Sequence, residues 1–178
     1  MPIPGWDPNK IPHAWQAGPQ TTLLKNQLAN MPSRGTFVMT IPKAPYRCPP
    51  GPYERACVVA DYLKRKKPGS RVIVLDANAV ITSKRALFER AWRDLYPGMI
   101  DYMPGSELQQ VEVATKTVKT AFDTVRSAVL NVIPPQRAGR IAQVSGLANV
   151  ERHWCEVDFL TYASAVSPQI HVIGDAID

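Results

Sequence analysis

Short apolar runs separated by stretches of helical period make up most of the chain. Thr36-Phe37-Val38-Met39-Thr40-Ile41, rich in β-branched and aromatic residues, reads as a buried strand. Tyr53 to Lys67 places Ala56, Val59, Ala60 and Leu63 at helical spacing, and Pro68-Gly69 stops it. Arg71-Val72-Ile73-Val74-Leu75-Asp76 is the clearest strand, an apolar run ending in an acid. Ser83 is the expected N-cap of a helix through Tyr96, closed by Pro97-Gly98, and Met99 to Tyr102 reads as another strand. Val111 to Val125 alternates apolar and polar residues, as a small antiparallel flap does. Ala128 to Ile133 is one more buried strand, cut off by Pro134-Pro135, and Ile170 to Asp175 reads as a last strand running into Gly174-Asp175.

Strand, helix, strand, helix, strand at this spacing predicts an α/β fold with a Rossmann-like parallel sheet, right-handed crossovers and a small antiparallel flap. The first 35 residues are irregular and proline-rich, with one short helical pattern near Thr21 to Ala29 and little pattern to pack themselves. The last strand stops three residues after Asp175, where a helix ordinarily follows. Both ends therefore read as those of a piece of something larger.

Composition narrows the possibilities. With 45% hydrophobic and 20% charged residues the 178-residue chain can fill a core, and no run approaches the ~20 apolar residues of a membrane span. Met1 to Asp7 lacks the basic start and apolar run of a signal peptide. Three cysteines make no disulfide framework and have the wrong spacing for a zinc knuckle; no metal site is expected. The net charge of +6 raises the question of nucleic acid, but Lys64-Arg65-Lys66-Lys67 ends a predicted helix, where cations complement the dipole, and no basic stripe carries interleaved aromatics. No nucleic-acid partner is expected. Docking of an acidic protein stays open.

The βαβ unit invites a dinucleotide, whose phosphates need a glycine-rich turn. The loop from Ile41 to Pro52 has five prolines there instead, which remove five N–H donors. Asp76 stands where a ribose-binding acid would lie, yet without the glycines it reads as a turn or cap residue, and an NAD(P)-binding domain is disfavoured. Cys48 in the same loop follows Arg47 and precedes Pro49-Pro50 and a helix N-terminus. A neighbouring cation and a helix dipole favour thiolate over thiol, so Cys48 is either a nucleophilic, redox-active cysteine or a plain residue of a stiff loop. Cys57 reads as a small buried hydrophobe of its helix, and Cys155 and the three histidines as structural.

The run Tyr46-Arg47-Cys48-Pro49-Pro50-Gly51-Pro52-Tyr53-Glu54-Arg55-Ala56 closely resembles the flavoprotein subunit of flavocytochrome c sulfide dehydrogenase, a family related to sulfide:quinone oxidoreductases. Asn131-Val132-Ile133-Pro134-Pro135-Gln136-Arg137-Ala138-Gly139, Pro12 to Gly18, Trp154 to Asp158 and His171 to Ala176 resemble it too. The resemblance implies a glutathione-reductase-type flavoprotein that oxidises sulfide at FAD and passes electrons to a cytochrome c subunit in the periplasm. It implies the end of an FAD-domain segment and linker over residues 1–35, the middle NAD-like α/β domain over 36–127, and a return to the FAD domain, truncated, over 128–178. Cys48 matches one half of the family's redox disulfide, Gly174 and Asp175 match an FAD-contacting pair, and Trp15 and Gly18 are expected to pass close to the cofactor.

The second redox cysteine of the family is expected beyond Asp178. Cys57, nine residues along a helix and so about 13 Å away, is too far to pair with Cys48. The glycine-rich FAD turn is absent from these residues, so the chain alone is expected to bind FAD poorly. The competing reading is a catalytically silent α/β module that docks a partner through its basic surface; an enzyme of the sulfide:quinone oxidoreductase type is a third.

Overall fold

The structure, a computed structural model, describes residues 3–178. The chain divides into two compact units: residues through Ala44 with Cys48–Pro134, and Pro45–Arg47 with Pro135–Asp178.

The larger unit holds a four-stranded parallel sheet of β1 (Thr36–Ile41), β2 (Arg71–Asp76), β3 (Ile100–Pro104) and β7 (Val129–Val132), in the order β3-β2-β1-β7. Val38 pairs with Ile73 on one side and Leu130 on the other. Nearly every residue of β1, β2 and β7 is buried, as expected of strands covered on both faces. Val38, Ile73, Leu75, Leu130 and Val132 share one face, where Ile11, Val111 and Val118 complete a cluster. On the other face lies α2 (Gly51–Lys66), whose Tyr53, Ala56, Val59, Ala60 and Leu63 form one buried stripe. The antiparallel flap comprises β4 (Gln110–Glu112), β5 (Thr117–Lys119) and β6 (Thr124–Arg126), and its paired valines 111, 118 and 125 turn inward.

Helices α1 (Pro19–Asn30) and α3 (Arg85–Leu95) finish this unit. The basic run at the end of α2 caps neighbouring helices as well as its own. Lys67 Nζ donates to the Ala29 carbonyl at 2.7 Å, in the last turn of α1, and Lys64 Nζ donates to the Leu95 carbonyl at 3.1 Å, at the end of α3.

Three sequence expectations need correction. The opening segment does pack: Ile11 is 1% exposed, the Trp6 indole donates to the Ile11 carbonyl, and the Val132 amide takes the Pro12 carbonyl. Ser83 does not cap α3; the N-cap is Lys84, in a left-handed conformation with no side-chain cap bond. Residues 170–175 are not a strand. Only an isolated bridge joins His171 to Ala163, made by the Ser164 amide donating to the Ile170 carbonyl and the Val172 amide donating to the Tyr162 carbonyl, and the pairing stops there as Gly174–Ala176 coil into a 3-10 turn.

The smaller unit has one short helix, α4 (Arg140–Val144), and a core of Ala138, Ala142, Leu147, Trp154 and Cys155. Among the described residues no helix is long and apolar enough to cross a membrane.

Candidate functional site

In the sheet, β1 leads through α2 to β2 on one side, while its other neighbour, β7, arrives from the flap. The carboxyl end of β1 is therefore a switch point, where open α/β sheets bind ligands. The loop carrying Cys48 begins there. Cys48 is exposed and has φ +56, a left-handed conformation that costs a residue with a β-carbon about 1 kcal/mol. Its carbonyl accepts the Gly51 amide at 2.8 Å, which turns the chain into α2.

Gly51 has a specific reason to be glycine. A β-carbon there would lie 2.9 Å from Cys48 Sγ, 2.9 Å from Trp15 Cη2 and 3.2 Å from Trp15 Cζ2. The sulfur and the indole edge thus crowd the same point on the first turn of α2.

Trp15 is held by a network that sequence reasoning missed. Arg55, one turn beyond Gly51, stacks its guanidinium 4.7 Å from the centre of the Trp15 ring. Its Nη1 donates to the His13 carbonyl at 2.8 Å and to Asn131 Oδ1 at 2.9 Å, and its Nη2 donates to the Ala14 carbonyl. Asn131, fully buried in β7, donates to the carbonyls of Pro12 (2.7 Å) and His13 (2.9 Å). Gln20 Oε1 accepts the amides of His13 and Ala14, and His13 Nδ1 accepts the Trp15 amide at 3.0 Å. Ala14, buried with φ +48, is fixed in its strained conformation by these bonds. The one signal for Arg55 in the sequence is its place four residues after Gly51, which puts the two on one helix face.

Burial pushes the Arg55 guanidinium down to about 10, so it stays a cation at neutral pH. Burial first, and the Arg55 charge second, hold the His13 imidazole below its ordinary value. Nδ1 is the acceptor for Trp15, so a proton there breaks that bond. As pH falls, the unfolded chain takes up this proton first, near pH 6.5. His13's contribution is therefore complete above that pH and is lost as pH falls toward the lower folded value. The urea midpoint is expected to fall between pH 7.5 and 5.5, and to fall less in His13→Asn, which keeps an acceptor but does not titrate. Equal losses in the two proteins would show that His13 is not the sensor.

Asp76 closes a turn, as expected, through the Asn78 amide, and is also the hub of a buried network. It is fully buried; Oδ2 accepts the hydroxyls of Tyr53 (2.8 Å) and Tyr102 (2.9 Å), and Oδ1 accepts the Asn78 amide and Nδ2. Both carboxylate oxygens are engaged within the protein, at the position where a ribose acid would stand. Cys57 is only half-buried and accepts the Trp92 indole N–H at 3.2 Å, and burial pushes its thiol up. Cys155 is fully buried, and burial raises its thiol too.

In the smaller unit, Arg47 takes its partners around the Gly-Asp turn. Its Nε donates to the Asp175 carbonyl at 2.7 Å, Nη2 donates to the Ile177 carbonyl, and the guanidinium lies 3.7 Å from the centre of the Trp154 ring. Gly174 has φ +74, with open space where a β-carbon would stand, and Asp175 is exposed. An exposed carboxylate beside an open glycine, on a turn fixed by Arg47, suits the hydroxyl groups of a ribityl chain. Gly18, with φ +112 and nothing near its missing β-carbon, enters α1.

A family model described as the sulfide dehydrogenase (flavocytochrome c) flavoprotein chain, central, matches residues 21–134. The chain belongs to this family. The matched residues include Cys48, Gly51 and Arg55 but not Trp15, Gly18, Gly174 or Asp175. Solved structures share the fold of this flavoprotein region at low identity. The water-forming NADH oxidase from Lactobacillus brevis is 16% identical over 99% of the chain and 36% of its own length, with a TM-score of 0.67. A NAD-dependent persulfide reductase from A. fulgidus is 14% identical over 99% and 31%, at 0.61. An HOCl-induced flavoprotein disulfide reductase from Escherichia coli is 16% identical over 99% and 37%, at 0.59. The chain spans about a third of the length of these structures.

Proposed function

We propose that the complete protein is an FAD-dependent oxidoreductase that oxidises sulfide through Cys48 and passes the electrons to a cytochrome c partner. The observation that carries this reading is the placement of Cys48. Cys48 is an exposed residue at the start of α2 beyond the carboxyl end of β1, and its sulfur is backed by a glycine with no room for a methyl group.

The chemistry starts from a disulfide between Cys48 and a second cysteine supplied from elsewhere in the complete protein. Hydrosulfide attacks one sulfur of that bond. The S–S bond breaks, a new S–S bond forms a persulfide, the other cysteine leaves as a thiolate, and the proton of hydrosulfide passes to solvent. Sulfide sulfur is oxidised by two electrons and the disulfide is reduced by two. When bound, FAD supplies the two-electron acceptor that re-forms the oxidised enzyme. Gly174 and Asp175 would hold it. Trp15, fixed by Arg55, limits the directions from which an attacking sulfur reaches Cys48. The engaged oxygens of Asp76 favour sulfide over a nicotinamide dinucleotide as the electron source at this domain.

The test is partial alkylation. Complete, oxidised protein is reduced briefly and treated with iodoacetamide for graded times. Its anaerobic rate of flavin bleaching by sulfide is then compared with the fraction of unmodified Cys48 found by peptide mass spectrometry. The rate is expected to fall in proportion to that fraction. A rate that persists after full modification of Cys48 would reject the reading.

A further inference from the structure

The segment from Pro12 to Trp15 has no regular secondary structure, yet its polar backbone groups are held from the Pro12 carbonyl to the Trp15 amide. One side chain makes contacts that neither Asn131 nor Gln20 can replace. The guanidinium of Arg55 grips two successive carbonyls, those of His13 and Ala14, while its flat face lies on the Trp15 ring. Only a planar fork can do both, since a lysine ammonium has neither the fork nor the face. The far edge of the same indole and Cys48 Sγ each lie 2.9 Å from the point where a Gly51 β-carbon would stand. Among the described residues no carboxylate forms an ion pair with Arg55; it donates to oxygens of neutral groups.

We propose that Arg55 is the positioning residue of the Cys48 thiol: by holding the His13 and Ala14 carbonyls and stacking on Trp15, it keeps the indole against the sulfur and sets how far a reagent can reach it. This rests on the reading of Cys48 as the reacting sulfur, and it goes beyond it by placing control of that sulfur in a side chain that does not touch it. The stem of Arg55 lines a groove of about 390 Å³ between α1 and α2, with Leu24, Leu28, Val58, Val59 and Tyr62. A methionine therefore keeps the packing of the stem and removes only the fork.

The test uses the 178-residue chain with Arg55→Met and Arg55→Lys, each made alone and in a Trp15→Ala background. Two quantities are read: the rate of Cys48 carbamidomethylation by peptide mass spectrometry, and the emission of Trp15, taken as the difference from Trp15→Phe. With the fork gone the indole leaves the sulfur, so Arg55→Met is expected to speed Cys48 alkylation at least about threefold and to shift Trp15 emission to the red. Arg55→Lys, which keeps the charge without the fork, is expected to give most of the same acceleration. Since Arg55→Lys keeps the positive charge, acceleration in both variants separates unscreening from a loss of charge.

In the Trp15→Ala background, replacing Arg55 is expected to change the rate less than about 1.5-fold, because the shared partner is already gone. Unchanged Cys48 alkylation in folded Arg55→Met overturns the proposal, and so does the same acceleration with and without Trp15. Should Arg55→Met unfold, exposing the buried Cys155 to reagent, the Arg55→Lys pair decides by the same two criteria. None of these readings depends on turnover. A failure of sulfide to act through Cys48 would appear in the flavin-bleaching experiment and leave the coupling of Arg55 to Trp15 intact.

Discussion

Truncating Asp76 to alanine is expected to destabilise the larger unit by about 4 kcal/mol. The carboxylate is fully buried and accepts four hydrogen bonds, two from tyrosine hydroxyls and two from Asn78. Hydrogen bonds to a charged acceptor are worth about 1.5–3 kcal/mol each, and they do not add fully. The tyrosines belong to an aromatic cluster with Phe88 and Trp92, in which Tyr53 lies 5.5 Å from Phe88 and Trp92 lies 5.6 Å from Tyr102, centre to centre. Losing the acid leaves the Tyr102 hydroxyl and the Asn78 amide without that acceptor, beside a new cavity. Asp76→Asn keeps one oxygen acceptor and is expected to lose about half as much. Urea unfolding followed through Trp92 emission measures both. A loss below about 1 kcal/mol in Asp76→Ala would show that the tyrosines find other partners at no cost.

The parallel sheet was legible because its signals are local. The runs from Thr36 to Ile41, between Gly35 and Pro42, and from Arg71 to Asp76, shortly after Pro68-Gly69, are rich in β-branched and apolar residues, and the alternation around Val111, Val118 and Val125 marks the flap face. The packing of the opening segment was not legible, since it depends on bonds between residues far apart. Asn131 and the Pro12 carbonyl are 119 positions apart, and no period in residues 3–18 announces that meeting. The tail misled for the opposite reason. Ile170, Val172 and Ile173 have the composition of a strand, but a strand also needs a neighbour with unpaired backbone groups, and here only the Ala163–His171 bridge forms.

At the site, the position of Cys48 ahead of a helix could be read from the prolines and glycine around it. Its left-handed backbone could not. Arg55 stood out in the sequence only as part of the run that resembles the family, since its acceptors lie 41 to 76 residues away and are mostly backbone oxygens, which carry no signal in the side-chain pattern. Arg47 was expected to act on the thiol next to it. The structure gives its guanidinium to the Asp175 and Ile177 carbonyls and the Trp154 ring. Charge at a sequence position predicts a cation there, and not what it holds.

Gly51→Ala is the substitution in which stability and function are expected to part most widely. At the first residue of a helix, alanine in place of glycine ordinarily stabilises by up to about 1 kcal/mol, since it restricts the unfolded chain. Gly51 does not have a positive φ, so its backbone accepts the change. Its new methyl group, however, would stand 2.9 Å from both Cys48 Sγ and Trp15 Cη2. The indole is braced by Arg55 and by the backbone bonds of His13 to Trp15, while the thiol turns about a single side-chain bond. The sulfur is therefore the atom that yields. Displacing a reacting atom by about 1 Å costs on the order of 100-fold in rate, and kcat/KM for sulfide in the complete protein is expected to fall by that much. The melting temperature is expected to change by no more than a few degrees, because the helix gain offsets the contact. Gly51→Val, with two further carbons at the same point, is expected to abolish turnover and to destabilise as well. Undiminished sulfide oxidation in Gly51→Ala would mean that the sulfur does not react from this position, and that the contact between Cys48, Gly51 and Trp15 has no part in the chemistry.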